Sequence, residues 1–392
     1  MKISVITMLR FHLFNLVEEL SKFDNEISLH TAWRSEDARK RFMFEKIKIN
    51  GHWFFGGMIY INQNFIHRQI KSSILKVINY IFSKYSVRQI PVNTDKIILC
   101  TTHYYPIIKT LKKYKAEIII DHGSLHPMFE KKIMDKENKE YGFSSTGPEY
   151  NHWIGDWLEK ECRYADKIFV CSNLAKKTFI DQGVEKNKVF VNKLGVRIDE
   201  FSLGMKSYEI DKNDVNIIVV GAVTPKKGIH RLIEALELLE KYNFRIKCAG
   251  ALPEDTNLKN ILNKKRKNIN IDLIGKVPQS QLKAYYQAAD LFILPSLCDG
   301  FGMVTTQALA SGTIAAVSQS AGSSELIIDE KNGFIIPDIT DPEASSEIIE
   351  KIICLPVLKR KKIAEHARHT MKVLDGWGNY GKCVNKNLMN NV

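Results

Sequence analysis

Apolar residues along the chain fall into short continuous runs, each followed by a stretch with three-to-four-residue spacing. Ile3 to Thr7 is the first run, and Leu13, Leu16, Val17 and Leu20 follow it at helical spacing. The runs KIILCT (96–101), EIIID (117–121), KIFVCS (167–172) and KVFVN (188–192) read as further strands, with helices over 150–164 and 173–182. Between 193 and 214 the periodicity lapses into charges with Gly195 and Gly204, which reads as a linker. The pattern then restarts. Strands are predicted at 215–220, 244–249, 269–273, 290–294 and 313–317, helices at 229–242, 258–267, 279–288 and 303–311, and shorter segments at 323–329 and 333–337. Continuous apolar strands alternating with helices predict parallel sheets buried on both faces. The expectation is an α/β chain of two doubly wound halves, residues 1–200 and 210–372, with a ligand cleft at the carboxyl ends of their strands. Residues 373–392, carrying Trp377 and Tyr380, read as a last helix that packs back on the first half.

One stretch interrupts this alternation. From Lys46 to Thr94 there is no Asp or Glu, whereas seven basic residues and eight aromatics fall within it. Ile66, Ile70, Ile74, Val77, Ile78, Ile81 and Tyr85 keep helical spacing, with Arg68, Lys71, Lys76 and Lys84 among them. The stretch reads as an amphipathic basic helix preceded by an aromatic-rich loop around Trp53, Phe54 and Phe55. Two readings stand side by side: a packing helix with a solvated basic face, or a surface that rests on an anionic membrane through 46–94.

Composition narrows the classes. A length of 392 residues allows two domains, and 44% hydrophobic with 26% charged residues excludes a disordered chain. Seven scattered cysteines without a CxxC pair exclude a disulfide framework and a Cys-based zinc module, and point to a reducing, cytoplasmic setting. No apolar run is long enough to span a bilayer, so any membrane contact would be peripheral, at the inner face of the plasma membrane. Lys and Arg outnumber Asp and Glu by 57 to 44, a net charge of +13. With no nucleic-acid-binding module beside that charge, nucleic acid is not the expected partner.

The candidate chemistry sits at strand-to-helix turns. Asp299-Gly300-Phe301-Gly302 follows the strand ending at Leu294 and opens a helix at Met303. Free amides and the helix dipole at such a start favour an anion. Gly221 to Gly228 is a second turn, carrying Lys226 and Lys227, and Ala321-Gly322-Ser323-Ser324-Glu325 is a third. Each turn alone is equally a tight bend. Together, at one sheet edge, they suit a nucleotide diphosphate held by Lys226, Lys227 and the amides of Gly302, Met303 and Val304. No metal-ligand cluster or DxD-type motif accompanies them, so no metal is implied.

On these residues the second half resembles the donor-binding domain of the retaining GT-B glycosyltransferases of family 4. The matching features are Gly221…Lys227-Gly228, Pro295-Ser296, Asp299-Gly300-Phe301-Gly302 through Gln307, Ala308-Leu309-Ala310-Ser311-Gly312, Ala321-Gly322…Glu325 and Asn332-Gly333-Phe334. Ala165-Asp166-Lys167-Ile168 with Ser172, and Gly195-Val196…Phe201, match the family's first domain more loosely. The resemblance implies two Rossmann-like domains and transfer of a sugar from a UDP- or GDP-linked donor, with retained anomeric configuration and same-face attack. Expected products are surface polysaccharide, lipopolysaccharide or lipid-linked glycan.

The resemblance also assigns roles. Asp299 stands where the family has its first Glu, Gln307 where it has the second, and Ala222 where it has an Arg. It implies catalytic roles for His122, Asp299 and Lys227. Donor contacts are expected from Lys226, Lys227, Phe301, Gly302, Met303, Val304 and Gln307, with backbone near Val277 reading the base. Arg10, His12 and His126 are acceptor-side candidates, with His103 secondary. The Asp299 and Gln307 replacements leave two alternatives open, a non-catalytic GT-B subunit and a GT-B sugar-nucleotide epimerase.

Overall fold

A computed structural model describes residues 1–8, 12–42, 47–65, 68–101, 105–144, 152–201 and 206–390. Seven parallel strands form the first sheet: β1 (Lys2–Ile6), β2 (Glu26–Thr31), β3 (Lys48–Gly51), β4 (Lys96–Cys100), β5 (Glu117–His122), β6 (Lys167–Val170) and β7 (Val189–Val191), in the order β3-β2-β1-β4-β5-β6-β7. Six more form the second: β8 (Val215–Val220), β9 (Phe244–Ala249), β10 (Ile269–Gly275), β11 (Leu291–Leu294), β12 (Ile314–Ser318) and β13 (Phe334–Ile336), in the order β10-β9-β8-β11-β12-β13. In each sheet the order reverses beside its first strand, at β1/β4 and at β8/β11. A doubly wound sheet gathers ligands at such a switch point.

Helices cover both faces. The first half carries α1 (Leu13–Leu20), α2 (Ser35–Phe42), α3 (Trp53–Phe65), α4 (Arg68–Val87), α5 (Tyr105–Leu111), α6 (Pro127–Tyr141), α7 (His152–Tyr164) and α8 (Asn173–Asp181). The second carries α9 (Ile229–Glu237), α10 (Thr256–Asn263), α11 (Gln279–Ala288), α12 (Met303–Ala310), α13 (Pro342–Cys354), α14 (Val357–Val373) and α15 (Gly376–Met389). The central strands are buried almost throughout, as their unbroken apolar runs require. α15 returns to the first half: it packs on α1, and its Asn387 carbonyl accepts from Lys167 Nζ at 2.9 Å.

Several elements differ from the expectation. β2 and β3 escape an apolar-run reading because polar residues occupy their buried positions. Ser28 bonds Ser4 Oγ at 2.8 Å, and His30 Nδ1 lies 3.2 Å from Asn50 Nδ2. Residues 53–65 form α3 where an aromatic loop was expected, since Phe55, Ile59 and Asn62 turn inward at helical spacing. Lys76 was expected on a solvated face. It lies over Trp153 and Trp157 of α7 instead, 5.9 and 5.6 Å from their ring centres. Lys46 and the side chains of Arg68 and Lys71 lie outside the described residues. α10 ends before Lys264–Lys267, and α6 supplies a helix between β5 and α7 that periodicity did not reveal.

α6 bridges the two sheets. Its Met134, with Phe143 beyond its end, is buried in the hydrophobic core of the second half. Its Glu137 accepts from His230 Nε2 at 2.5 Å and from Arg231 at 2.8 and 3.0 Å. Ser144 N donates to Asp255 Oδ2 at 2.7 Å. The Glu137 cluster and the Ser144–Asp255 bond tie α6 and the segment after it to the second half.

Candidate active site

The carboxyl ends of both sheets face a cavity of about 1000 Å³. Its second-half wall is built around two turns, and Ala251, Leu252, Glu254 and Asp255 after β9 add to it. After β8 the chain passes Gly221 and then Thr224 to Gly228, which brings Lys226 and Lys227 to the cavity. Gly228 has φ +66°, and a Cβ there would overlap the Pro295 carbonyl oxygen, so only glycine closes this turn. After β11 the chain passes Asp299 to Gly302, and α12 starts with Gly302 as an N-cap that makes no side-chain capping bond. The first amides of α12 therefore face the cavity with Gly302, Met303 and Val304 in its wall.

The first-half wall is made of side chains. His122, at the end of β5, has Thr101 Oγ1 2.7 Å from Nδ1 and the Leu125 carbonyl 3.0 Å from Nε2. The carbonyl needs a donor, so the proton sits on Nε2 and Nδ1 accepts from the threonine. Burial lowers the His122 pKa, which keeps the ring neutral. His12 Nε2 meets Asp121 Oδ1 at 2.5 Å, and Tyr380 of α15 stands edge-on to its ring at 6.2 Å. Asp121 accepts, so His12 donates to it through Nε2.

Both cavity lysines are met by carboxylates. Lys226 Nζ lies 2.7 Å from Glu130 Oε1, which also accepts from Ser124 Oγ at 2.5 Å. Burial opposes the Lys226 charge, but Glu130 outweighs it and raises the ammonium above the ordinary lysine value. Lys227 Nζ pairs with Asp299 Oδ2. Burial opposes the Asp299 charge as well, yet Lys227 and Lys226 hold this carboxyl below the usual range. The two walls touch at this point: Ser172 Oγ donates to the Gly300 carbonyl at 2.6 Å, and a Cβ on Gly300 would overlap Ser124 Cα.

His122, Asp299, Lys226, Lys227, Phe301, Gly302, Met303, Val304 and His12 thus meet in one cavity. Three candidates lie outside its wall. Gln307 is turned inward, where its Oε1 accepts from the Tyr286 hydroxyl at 3.0 Å. His126 caps α6, its Nδ1 accepting from Met128 N at 3.3 Å, and Val277 is a partly buried residue packed against the hydrophobic core. Arg10 and His103 lie outside the described residues. Glu325 is engaged across the halves, accepting from Leu174 N and Asn173 Nδ2 at 2.9 Å each. Sequence reasoning missed Glu130, Thr101 and Asp121 as functional groups. For Glu130 a signal existed: Pro127 after a polar cap, with an acid in the first turn, marks a helix start at this sheet edge.

Comparison with known proteins agrees with this geometry. Residues 203–370 match the family model "Glycosyl transferases group 1". The amylovoran biosynthesis glycosyltransferase AmsK of Erwinia amylovora is 26% identical over 189 residues, 46% of each chain. The chain spans about half the length of the curated relatives it matches. Over its whole length it superimposes on a sucrose-phosphate synthase from Thermosynechococcus elongatus (TM-score 0.72, 14% identity, 98% of both chains). It also superimposes on Anabaena HepE in complex with UDP and glucose (TM-score 0.66, 14% identity, 99% of both chains). The fold is GT-B. Fold and matched domain together support a GT-B glycosyltransferase.

Proposed function

We propose that this chain is a retaining hexosyltransferase of family 4. It moves a sugar from a UDP- or GDP-linked donor to an acceptor hydroxyl in surface-polysaccharide, lipopolysaccharide or lipid-linked glycan synthesis. One observation carries the reading: Lys226, Lys227 and the uncapped start of α12 converge on one side of a cavity whose other side holds the His12–Asp121 pair. Such a wall suits a diphosphate, and the volume suits a nucleotide sugar; HepE has been seen with UDP-glucose.

The chemistry follows from where charge develops. As the bond from the anomeric carbon to the diphosphate breaks, negative charge grows on the leaving oxygens. Lys227, Lys226 and the amides of Met303 and Val304 stand ready to stabilise it. Glu130 and Asp299 hold those lysines in place until the diphosphate takes over their charge. The acceptor hydroxyl attacks from the face the diphosphate leaves, and its proton passes to a diphosphate oxygen. His12, oriented by Asp121 through Nε2, offers Nδ1 as a positioned acceptor for a sugar or acceptor hydroxyl. His122 has both nitrogens engaged and shapes the wall.

Melting curves with a panel of UDP- and GDP-sugars test this. A donor at a hundred times its dissociation constant stabilises by about 2.7 kcal/mol. If none shifts the melt, the donor site is wrongly assigned. Binding without transfer to any acceptor would favour a non-catalytic subunit, and donor turnover without acceptor would favour an epimerase. The anomeric configuration of the product, read by NMR, decides retention.

A further inference from the structure

The α3–α4 hairpin carries apolar residues on both its faces. α3 turns Trp53, Phe54, Tyr60 and Phe65 to solvent, with Phe54 62% and Phe65 73% exposed. On α4, Val77, Ile81 and Tyr85 form the matching outward stripe. The inward faces carry Phe55, Ile59, Ile78 and Phe82 together with Asn62, Asn79, Ser83 and Ser86, all buried. Asn62 Oδ1, Asn79 Oδ1 and Ser86 Oγ have no hydrogen-bond partner among the described residues. A water-facing helix pair would carry polar residues on that outward face instead. An apolar stripe of this size marks a contact surface.

Charge selects the occupant. The segment 46–94 has no carboxylate. Lys84 and Arg88 are exposed at the end of α4, and Arg34 lies over the Trp53 ring at 5.6 Å. Trp and Tyr with flanking cations suit the boundary between anionic headgroups and acyl chains. We propose that the α3–α4 hairpin is a membrane seat, which inserts its aromatic stripe into an anionic bilayer while Arg34, Lys84 and Arg88 meet the headgroups. Apolar burial supplies most of the attachment and the cations select the lipid. Lys76, held over Trp153 and Trp157, takes no part; with the bond from Trp153 Nε1 to Ser72 Oγ at 2.9 Å it fastens α4 to α7. Ile154 of α7 lines the cavity, so the seat lies one helix from the cleft. The inference does not depend on the donor assignment.

The test is co-sedimentation of the full chain with vesicles of equimolar phosphatidylglycerol and phosphatidylcholine. The wild type binds and keeps much of its binding in high salt. F54S/F65S/I81S lowers vesicle affinity by roughly a hundredfold. K84E/R88E lowers it roughly tenfold and only on anionic vesicles. Both variants keep the wild-type melting temperature and response to UDP-sugars. Brominated lipid quenches the wild-type fluorescence, and W53F removes most of that quenching. No wild-type binding, or full binding by the triple Ser variant, overturns the seat. A wild-type dimer that the triple variant converts to monomer, with vesicle affinity unchanged, overturns it in favour of a second copy. Vesicle binding without any response to donors leaves the seat standing and sinks the transfer reading alone.

Discussion

The two walls of the cleft come from sheets built alike, yet they present different chemistry. The second-half wall is mostly main chain: glycine-closed turns, the uncapped amides of α12, and two lysines at a fixed turn. The first-half wall is mostly side chain, with His12 on Asp121, His122 between Thr101 and Leu125, and Glu130 on Ser124. A diphosphate is the same group in every UDP- or GDP-sugar, and fixed backbone donors meet it at little reorganisation cost. Acceptors differ, and side chains can change without disturbing the sheet. The contrast predicts that damage to the second-half wall removes donor binding, whereas changes in the first-half wall tune it.

Gly228→Ala should break that contrast hardest. The left-handed backbone alone costs about 1–2 kcal/mol, and the methyl must also displace the Pro295 carbonyl, against which this turn packs. The expected outcome is a lowered melting temperature and no response to any nucleotide sugar. A variant that melts lower but keeps its donor response would separate the turn from the phosphate site. Lys227→Ala comes next. Losing one preorganised donor to a developing charge costs about 2.7–4 kcal/mol, roughly two orders of magnitude or more in kcat. Asp299 is then left without its cation, so donor binding should weaken as well. Near-wild-type turnover would remove Lys227 from the mechanism.

The same contrast explains what could be read from the chain. The second-half turns were legible because each depends on a few consecutive residues, with glycine where φ is positive and Lys beside it. Gln307 was read as a ligand contact by its place in a motif, but Tyr286, from another helix, turns it inward. The helix start at Pro127 marked the place of Glu130, but its pairing with Lys226 was not legible, because the two belong to different halves and only folding brings them together. β3 is KING, with no apolar run, and is a strand because β2 pairs with it. The acid-free segment was legible as unusual. Its charge drew attention, although the aromatic stripe is the larger feature once the helices show which face is outward.

A smaller effect tests the first half itself through pH. Burial depresses His126 to about 4, with His122 adding to it, and burial depresses His30 to about 4 as well. The folded state therefore stays neutral at these rings where the unfolded chain takes up protons. Stability is complete above about pH 6.5, the unperturbed value, and falls as pH drops toward 4. Each such histidine contributes a slope of about 1.4 kcal/mol per pH unit within that window. His126→Asn keeps a good N-cap for α6 and removes one proton-binding site. Urea midpoints at several pH values should show a shallower acid loss in the variant. Equal slopes would mean that His126 is charged in the folded protein.

The mildest change is Glu130→Gln, and it asks whether the first-half wall tunes the second. The amide can still accept from Ser124, so the local shape survives, but Lys226 loses its counter-charge. In the free protein a mostly buried ammonium then stands unpaired, which lowers stability. A bound diphosphate restores the pairing without having to displace Glu130. The variant should therefore melt below the wild type when free, show a larger shift with nucleotide sugar, and bind the donor a few-fold more tightly, since about 1 kcal/mol is at stake in a partly solvated pair. Calorimetric titration at matched salt reads the affinity, and melting curves read the stability. A smaller shift and weaker binding would mean that Glu130 itself contacts the donor, and the division between a main-chain donor wall and a side-chain tuning wall would have to be redrawn.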